Sequence, residues 1–341
     1  LLTLFAPPAL SDGTILILAP HPDDAEIAAF GLYASRPSAA WVVTITAGEW
    51  GAMNLSAVLP TRAQDVYWKA FLRVWDSVTV PQLGGVSDER CLNLAYPDRE
   101  LASMARQATL PHRLSCEPEL ARSTLRARNR DRAFQQGSAD CTWADLVSEL
   151  RLVIEKTKPT TVVCPHPILD GHLDHVFTTV AVEQALRQSV HKVTTFLLYV
   201  VHAAGTPSYP FGSADAVISL PPWADDEWVA DSMYSHCLSP ALQRAKYFAV
   251  EASHDVRTYG DGASRSGRQL LGAMRREISA FARGVAVDPM SFFLRRAPRP
   301  NELYYVVSAD SLSELTRRRL SQGPENSQFG GYLTRAARSR R

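Results

Sequence analysis

Two short stretches carry side chains that could do chemistry together. One is Pro20-His21-Pro22-Asp23-Asp24; the other is Pro165-His166-Pro167-Ile168-Leu169-Asp170-Gly171-His172-Leu173-Asp174-His175. Imidazole nitrogen and carboxylate oxygen are the donors of catalytic zinc sites, which take three protein ligands and leave a fourth position to water. His21, Asp24 and His175 would make such a set, and Asp23 would be left beside it as a base. Spacing alone does not distinguish the two adjacent aspartates, so their roles are interchangeable at this point. A simpler reading of the first stretch has Asp23 or Asp24 capping the helix that follows. The second stretch, with the same mixture of donors, tips the balance towards a metal.

Both stretches follow runs of strand type, Ile15-Leu16-Ile17-Leu18-Ala19 and Thr161-Val162-Val163-Cys164. Continuous Ile/Leu/Val runs read as buried parallel strands, and ligands in open α/β sheets gather beyond the carboxyl ends of strands. Pro22 fixes its own φ and keeps His21 out of the α region, so the side chains leave that turn in set directions. The first half alternates: strand 14–19, helix 24–34, strand 41–46, a helix with Val66, Ala70, Phe71 and Val74 on one face, and a short strand at 78–80. That rhythm predicts an α/β, Rossmann-like three-layer α/β/α fold with a mostly parallel sheet and right-handed crossovers.

The rhythm lapses over 99–142, which reads as an insertion carrying Arg122, Arg126, Arg128, Arg130 and Arg132. Such a cluster is either a solvated helix face or a clamp for a substrate phosphate or carboxylate. It resumes with a helical stripe at Leu146, Val147, Leu150, Val153 and Ile154, a strand at 160–164 and a helix at 174–188 whose first turn holds His175. A strand at 193–201 ends at His202, a candidate substrate contact. Ser239-Pro240 begins another helix, Leu270 to Phe281 is an amphipathic helix, and Leu303 to Val307 is a last strand. Beyond Glu314 the chain is arginine-rich and reads as frayed. The organisation expected is one domain over 1–320 with its insertion, then a basic flexible tail over 321–341. That tail is solvated or weakly attracted to anionic membrane surfaces.

Composition narrows the function. Among 341 residues, 36 basic and 35 acidic side chains nearly cancel, which removes a global case for nucleic-acid binding. Five scattered cysteines without CxxC spacing read as reduced thiols of a cytoplasmic protein. Leu1 to Leu10 is apolar but lacks a basic n-region and a starting Met, which leaves a trimmed leader or anchor as the alternative to a cytoplasmic protein. No GxGxxG follows the first strand, which disfavours a nucleotide-binding oxidoreductase.

The paired motifs Pro20-His21-Pro22-Asp23-Asp24 and Asp170-x-His172-x-Asp174-His175 resemble those of the PIG-L/LmbE-like zinc N-deacetylases, which remove acetyl groups from N-acetylglucosamine-containing substrates. Thr46-Ala47-Gly48-Glu49, Arg62 with Asp65 in place of Glu, and Tyr96-Pro97-Asp98 are similar to further family segments. Ala245-Lys246 with Ser253-His254 is a looser match. The resemblance spans about 14–100 and 143–255. It implies Zn2+ (with Fe2+ as the other divalent candidate) on His21, Asp24 and His175, and Asp23 as general base. It implies His172, held by a carboxylate such as Asp174, as the acid that protonates the departing sugar amine. Arg62 and Asp98, and more weakly Glu49, are implied as grips on sugar hydroxyls. The substrate implied is an N-acetylated sugar or glycoconjugate. Two rival readings stand beside it: a zinc hydrolase of another N-acyl or ester bond, and a non-catalytic Rossmann-like binding module.

Overall fold

The computed structural model describes residues 13–50, 62–116, 120–137, 140–203, 209–212, 215–220, 230–254, 297 and 299–321. Seven strands form one sheet: β1 (Ile15–Ala19), β2 (Ala40–Thr46), β3 (Cys91–Tyr96), β4 (Thr161–Pro165), β5 (Thr195–Tyr199), β6 (Ser232–Cys237) and β7 (Asn301–Val307). Their order is β3-β2-β1-β4-β5-β7-β6. The first five are parallel, and β7 runs antiparallel to both β5 and β6. The predicted three-layer α/β/α fold is the one observed.

Side-chain alternation along β1 shows the layering. Leu16 and Leu18 join one core with residues of α5 (Trp143–Thr157), α6 (Leu173–Gln188) and α8 (Ala309–Ser321). Ile15, Ile17 and Ala19 join the other, with α1 (Asp24–Ser35) and α7 (Pro240–Ala252). Both faces are covered, so a parallel strand here is apolar throughout. The connection from β1 through α1 leads to β2 on one side, and that from β4 through α6 leads to β5 on the other. β1 and β4 are neighbours in register, Ile15 opposite Thr161, so the sheet's switch point lies between their carboxyl ends.

Several expectations are corrected. The strand at 78–80 does not form: α2 (Arg62–Thr79) runs through it into a 3-10 turn at Val80–Gly84, and the third strand is Cys91–Tyr96. Val74 and Val78 are one helical turn apart and buried, so packing overrides the β preference of valine. β6 was not visible because Ser232–Cys237 lacks apolar alternation; it is an edge strand paired to β7 alone. The arginine-rich run past Glu314 is helical to Ser321, since Leu312, Leu315 and the stem of Arg319 are buried. The helix at 270–281, the leader-like segment 1–10 and the tail 322–341 lie outside the described residues.

Two of the insertion's arginines are not part of a solvated face, whereas Arg130 and Arg132 are exposed. Arg122 and Arg126, on the short α4 (Arg122–Arg126), are buried. Arg122 donates to the carbonyls of Leu94 (2.9 Å) and Ala95 (3.1 Å), and Arg126 to those of Leu94 and Phe134 (3.1 Å each). Both pair with Glu149 of α5. These bonds brace the end of β3, from which the chain turns to Asp98. Arg128 lies over the rings of Phe71 and Trp75, and Arg130 pairs with Asp88 at the surface.

Candidate metal centre

The loop after β1 and the start of α6 after β4 meet at the switch point. Nδ1 of His21 lies 3.1 Å from Oδ2 of Asp24 and 3.3 Å from Nε2 of His175, and that nitrogen is 3.1 Å from the same Oδ2. The three donor atoms form a nearly equilateral triangle. Three donors each about 2.1 Å from one tetrahedral ion would sit about 3.4 Å apart, so the donor set fits a small divalent cation. Donor atoms of His21, His172 and His175, of Asp24, His175 and His202, and of His21, Asp98 and Asp174 also come within 4.8 Å of one another.

Neither aspartate merely caps α1. Asp23 occupies the N-cap position without a side-chain cap bond. The Asp24 carboxylate instead accepts the His21 backbone N–H at 2.9 Å and turns to the two imidazoles.

Each imidazole is held from behind. Nδ1 of His175 is 3.1 Å from Oδ2 of Asp170, a buried carboxylate that also accepts the backbone N–H groups of Val201, His202 and, through Oδ1, His172. Nε2 of His21 faces Oδ1 of Asp98 at 3.2 Å and Oδ2 of Asp174 at 3.3 Å. Carboxylates behind metal-binding histidines fix the ring and raise its basicity. Burial alone would depress both rings; Asp170 and Asp24 nevertheless lift His175 to about 9, and Asp98, Asp174 and Asp24 lift His21 well above the usual range. Against their own burial, His175 and His21 hold Asp24 well below the usual carboxylate range. So many buried carboxylates around two imidazoles demand positive charge, which two protons or one divalent ion supply equally.

Three residues given roles by the resemblance have partners within the protein. One oxygen of Asp98 is on His21 and the other accepts the Trp50 N–H at 3.2 Å. Glu49 is buried and accepts the backbone N–H groups of Asp98 and Ser115. Burial and the Asp98 charge push its carboxyl up to about 8. Asp174 does not bind the His172 ring through its carboxylate; that carboxylate accepts the N–H groups of Arg99 (2.6 Å) and Leu101 (3.2 Å) at the start of α3 (Leu101–Arg106). The Asp174 backbone N–H donates to Nδ1 of His172, the N-cap of α6, at 3.2 Å. The capping geometry turned both groups away from each other.

His172 therefore carries its neutral-form proton on Nε2. Burial, with His21 and His175 nearby, pushes its pKa down to about 3. His202 lies tilted against His172 and edge-on to His175, with ring centroids at 5.3 and 4.9 Å, and burial next to His175 pushes it to about 3 as well. The side chain of Arg62, at the start of α2, lies outside the described residues. His254 binds Asp76 and Lys246 binds Glu302, at 2.7 Å each, so neither is engaged with this centre.

Sequence reasoning missed one basic residue. Arg73 of α2 places Nη2 3.0 Å from Oδ1 of Asp23 and donates to the Gly48 carbonyl at 3.2 Å. Gly48 has φ +67°, and a Cβ there would lie 2.8 Å from Pro22 Cδ and 2.9 Å from Arg73 Nε. Only glycine lets the turn and the guanidinium pass so closely. Asp170 was quoted within its motif without a role; an aspartate five residues before a ligand histidine was the available signal.

Residues 16–186 match the family model described as PIG-L, GlcNAc-PI de-N-acetylase, a span that includes both motifs. A search of curated proteins returns no match. Among solved structures, the N,N'-diacetylchitobiose deacetylase from Pyrococcus horikoshii is similar at 14% identity and a TM-score of 0.47, covering 89% of this chain and 88% of that one. The A40926 pseudoaglycone deacetylase Dbv21 is similar at 17% identity and a TM-score of 0.45, covering 87% and 98%. The 4-carboxy-2-hydroxymuconate hydratase GalB from Pseudomonas putida KT2440 is similar at 12% identity and a TM-score of 0.42, covering 87% and 95%.

Proposed function

Since the chain belongs to the PIG-L family, we propose that it is a metal-dependent hydrolase removing an N-acetyl group from an N-acetylglucosamine-type sugar or glycoconjugate. The observation that carries this reading is the triangle of His21 Nδ1, Asp24 Oδ2 and His175 Nε2, with Asp23 beside it. Zn2+ held by these three residues, or Fe2+ in its place, supplies Lewis acidity towards an acyl carbonyl and towards water.

The chain's own groups supply the rest. Asp23, paired at Oδ1 with Arg73, is the carboxylate that would accept a proton from the attacking water. His172, whose Nδ1 is committed to the helix N–H, offers Nε2–H to the acyl oxygen as negative charge develops there. In this reading its neutral ring is a hydrogen-bond donor, and the proton collected by Asp23 is the one delivered to the departing amine. Asp170, Asp98 and Asp174 position the two imidazoles, and His202, beside His172 and His175, is the candidate for a substrate contact.

The test is acetate release from a panel of N-acetylated sugars, N-acyl amino acids and esters, with bound metal followed by emission spectroscopy. Release confined to the sugars together with about one divalent ion per chain supports the reading. Turnover of esters or N-acyl amino acids alone, or a metal-free protein that binds sugar without hydrolysing it, overturns it.

A further inference from the structure

We propose that Arg99 and Trp50 form a receptor for an anionic group, carboxylate or phosphate, carried by the substrate next to the acetylated sugar; this rests on the deacetylase reading above. Arg99 lies at the turn after β3, and its guanidinium carbon sits 3.4 Å from the centre of the Trp50 ring. Trp50 is 49% exposed even so, and Arg99 is exposed.

Both residues are tied to the metal centre through their backbones. The Trp50 N–H donates to Asp98 and the Arg99 N–H to Asp174, the two carboxylates that face Nε2 of His21. The Trp50 carbonyl also accepts Nζ of Lys69 at 2.7 Å. The receptor is therefore at a fixed remove from the reacting bond.

Arg99 adopts φ +66°, a left-handed conformation that arginine rarely takes. Such strain persists only where the surroundings enforce it, and it gathers at functional sites. Here the enforcement is the 2.6 Å bond to Asp174, and its effect is to lay the side chain on the indole. A guanidinium resting on an indole offers a planar fork of N–H groups that matches carboxylate or phosphate in two-point contact. Arg73, Arg122 and Arg126 spend theirs on carbonyls and carboxylates. The Arg99 side chain makes no ion pair or hydrogen bond among the described residues. An arginine resting on tryptophan for packing alone would need neither the strained backbone nor the tie to Asp174.

The test uses methyl N-acetylglucosaminide as the neutral probe, N-acetylglucosamine 1-phosphate, and the N-acetylglucosaminide of glycolic acid. Calorimetric affinity and acetate release are both measured. The expected result is an anionic-to-neutral preference of about tenfold or more in affinity, reduced about ten- to a hundredfold in R99Q and less in W50L. R99K, which keeps the charge but not the flat fork, restores only part of it. Preference for the phosphate probe or the carboxylate probe alone supports the receptor and identifies its anion. Equal affinity for all three probes, or a preference unchanged in both R99Q and W50L, overturns the proposal. Because calorimetry needs no turnover, absence of acetate release would count against the deacetylase reading while the receptor is still judged on affinity.

Discussion

Nδ1 of His21 and Nε2 of His175 lie 3.3 Å apart although 154 positions separate them in the chain. The approach follows from sheet topology. β1 and β4 are adjacent and parallel, their connections depart in opposite directions, and each leaves a histidine at the same edge. Asp24 Oδ2, 3.1 Å from both nitrogens, completes the triangle. Asp170 behind His175 and the Asp98 and Asp174 pair behind His21 orient the two rings.

Metal and turnover separate at neighbouring residues. Asp23→Ala retains the ion and loses turnover by about 10²- to 10⁴-fold, the usual worth of a general base, whereas His175→Ala loses the ion itself. Elemental emission on both purified variants, beside acetate release, checks this. Metal lost from Asp23→Ala and kept in His175→Ala would reverse the assignment.

With Asp23 as the proposed base, Arg73 would act on chemistry through it. Arg73→Ala is expected to lower kcat by about 10²-fold, the cost of a base misplaced by about 1 Å, with KM nearly unchanged, and added guanidinium should restore part of the rate. A rise in KM with kcat intact would assign Arg73 to substrate binding instead. Gly48→Ala disturbs the same contact from the other side, at about 1–3 kcal/mol of stability; urea unfolding measures it.

Glu149 neutralises two buried arginines. Glu149→Ala leaves both guanidinium groups without their carboxylate and should cost about 3–5 kcal/mol. A loss under 1 kcal/mol in chemical denaturation would mean that the carbonyls of Leu94, Ala95 and Phe134 satisfy them unaided.

His166 should make stability depend on pH. It is buried, its Nδ1 accepts the backbone N–H groups of Ile168 and Leu169 at 3.2 Å each, and burial pushes its pKa down to about 3. Unfolded, the ring titrates near 6.5. Between those values the unfolded chain binds a proton that the folded chain does not, so this group favours folding fully above about pH 6.5 and progressively less as pH falls towards 3. Between pH 7 and pH 5 the wild type should lose about 2 kcal/mol more than His166→Asn. Parallel losses in the two proteins, by urea unfolding at both pH values, would show that His166 titrates normally in the fold.

The donor residues and their strand-to-helix settings were legible because they are local. An apolar run that ends in Pro-His-Pro-Asp-Asp is a strand feeding a loaded turn, and His175 in the first turn of a helix follows from the apolar spacing beyond it. The layered sheet was legible for the same reason, whereas the unpatterned edge strand β6 was not, because periodicity could not find it.

What only tertiary structure decided is where side chains go after turns that leave the ordinary backbone regions. Gly48, Ala95 and Arg99 all have positive φ, and neither hydrophobic pattern nor spacing encodes the change of direction each one makes. Those turns send Glu49 and Asp98 inwards, bring α2 close enough for Arg73 to hold Asp23, and lay Arg99 on Trp50. The sequence by itself determined which atoms were available to bind a metal. Their separation, and the orientation of the carboxylates behind them, came from contacts between segments far apart in the chain, which no local pattern contains.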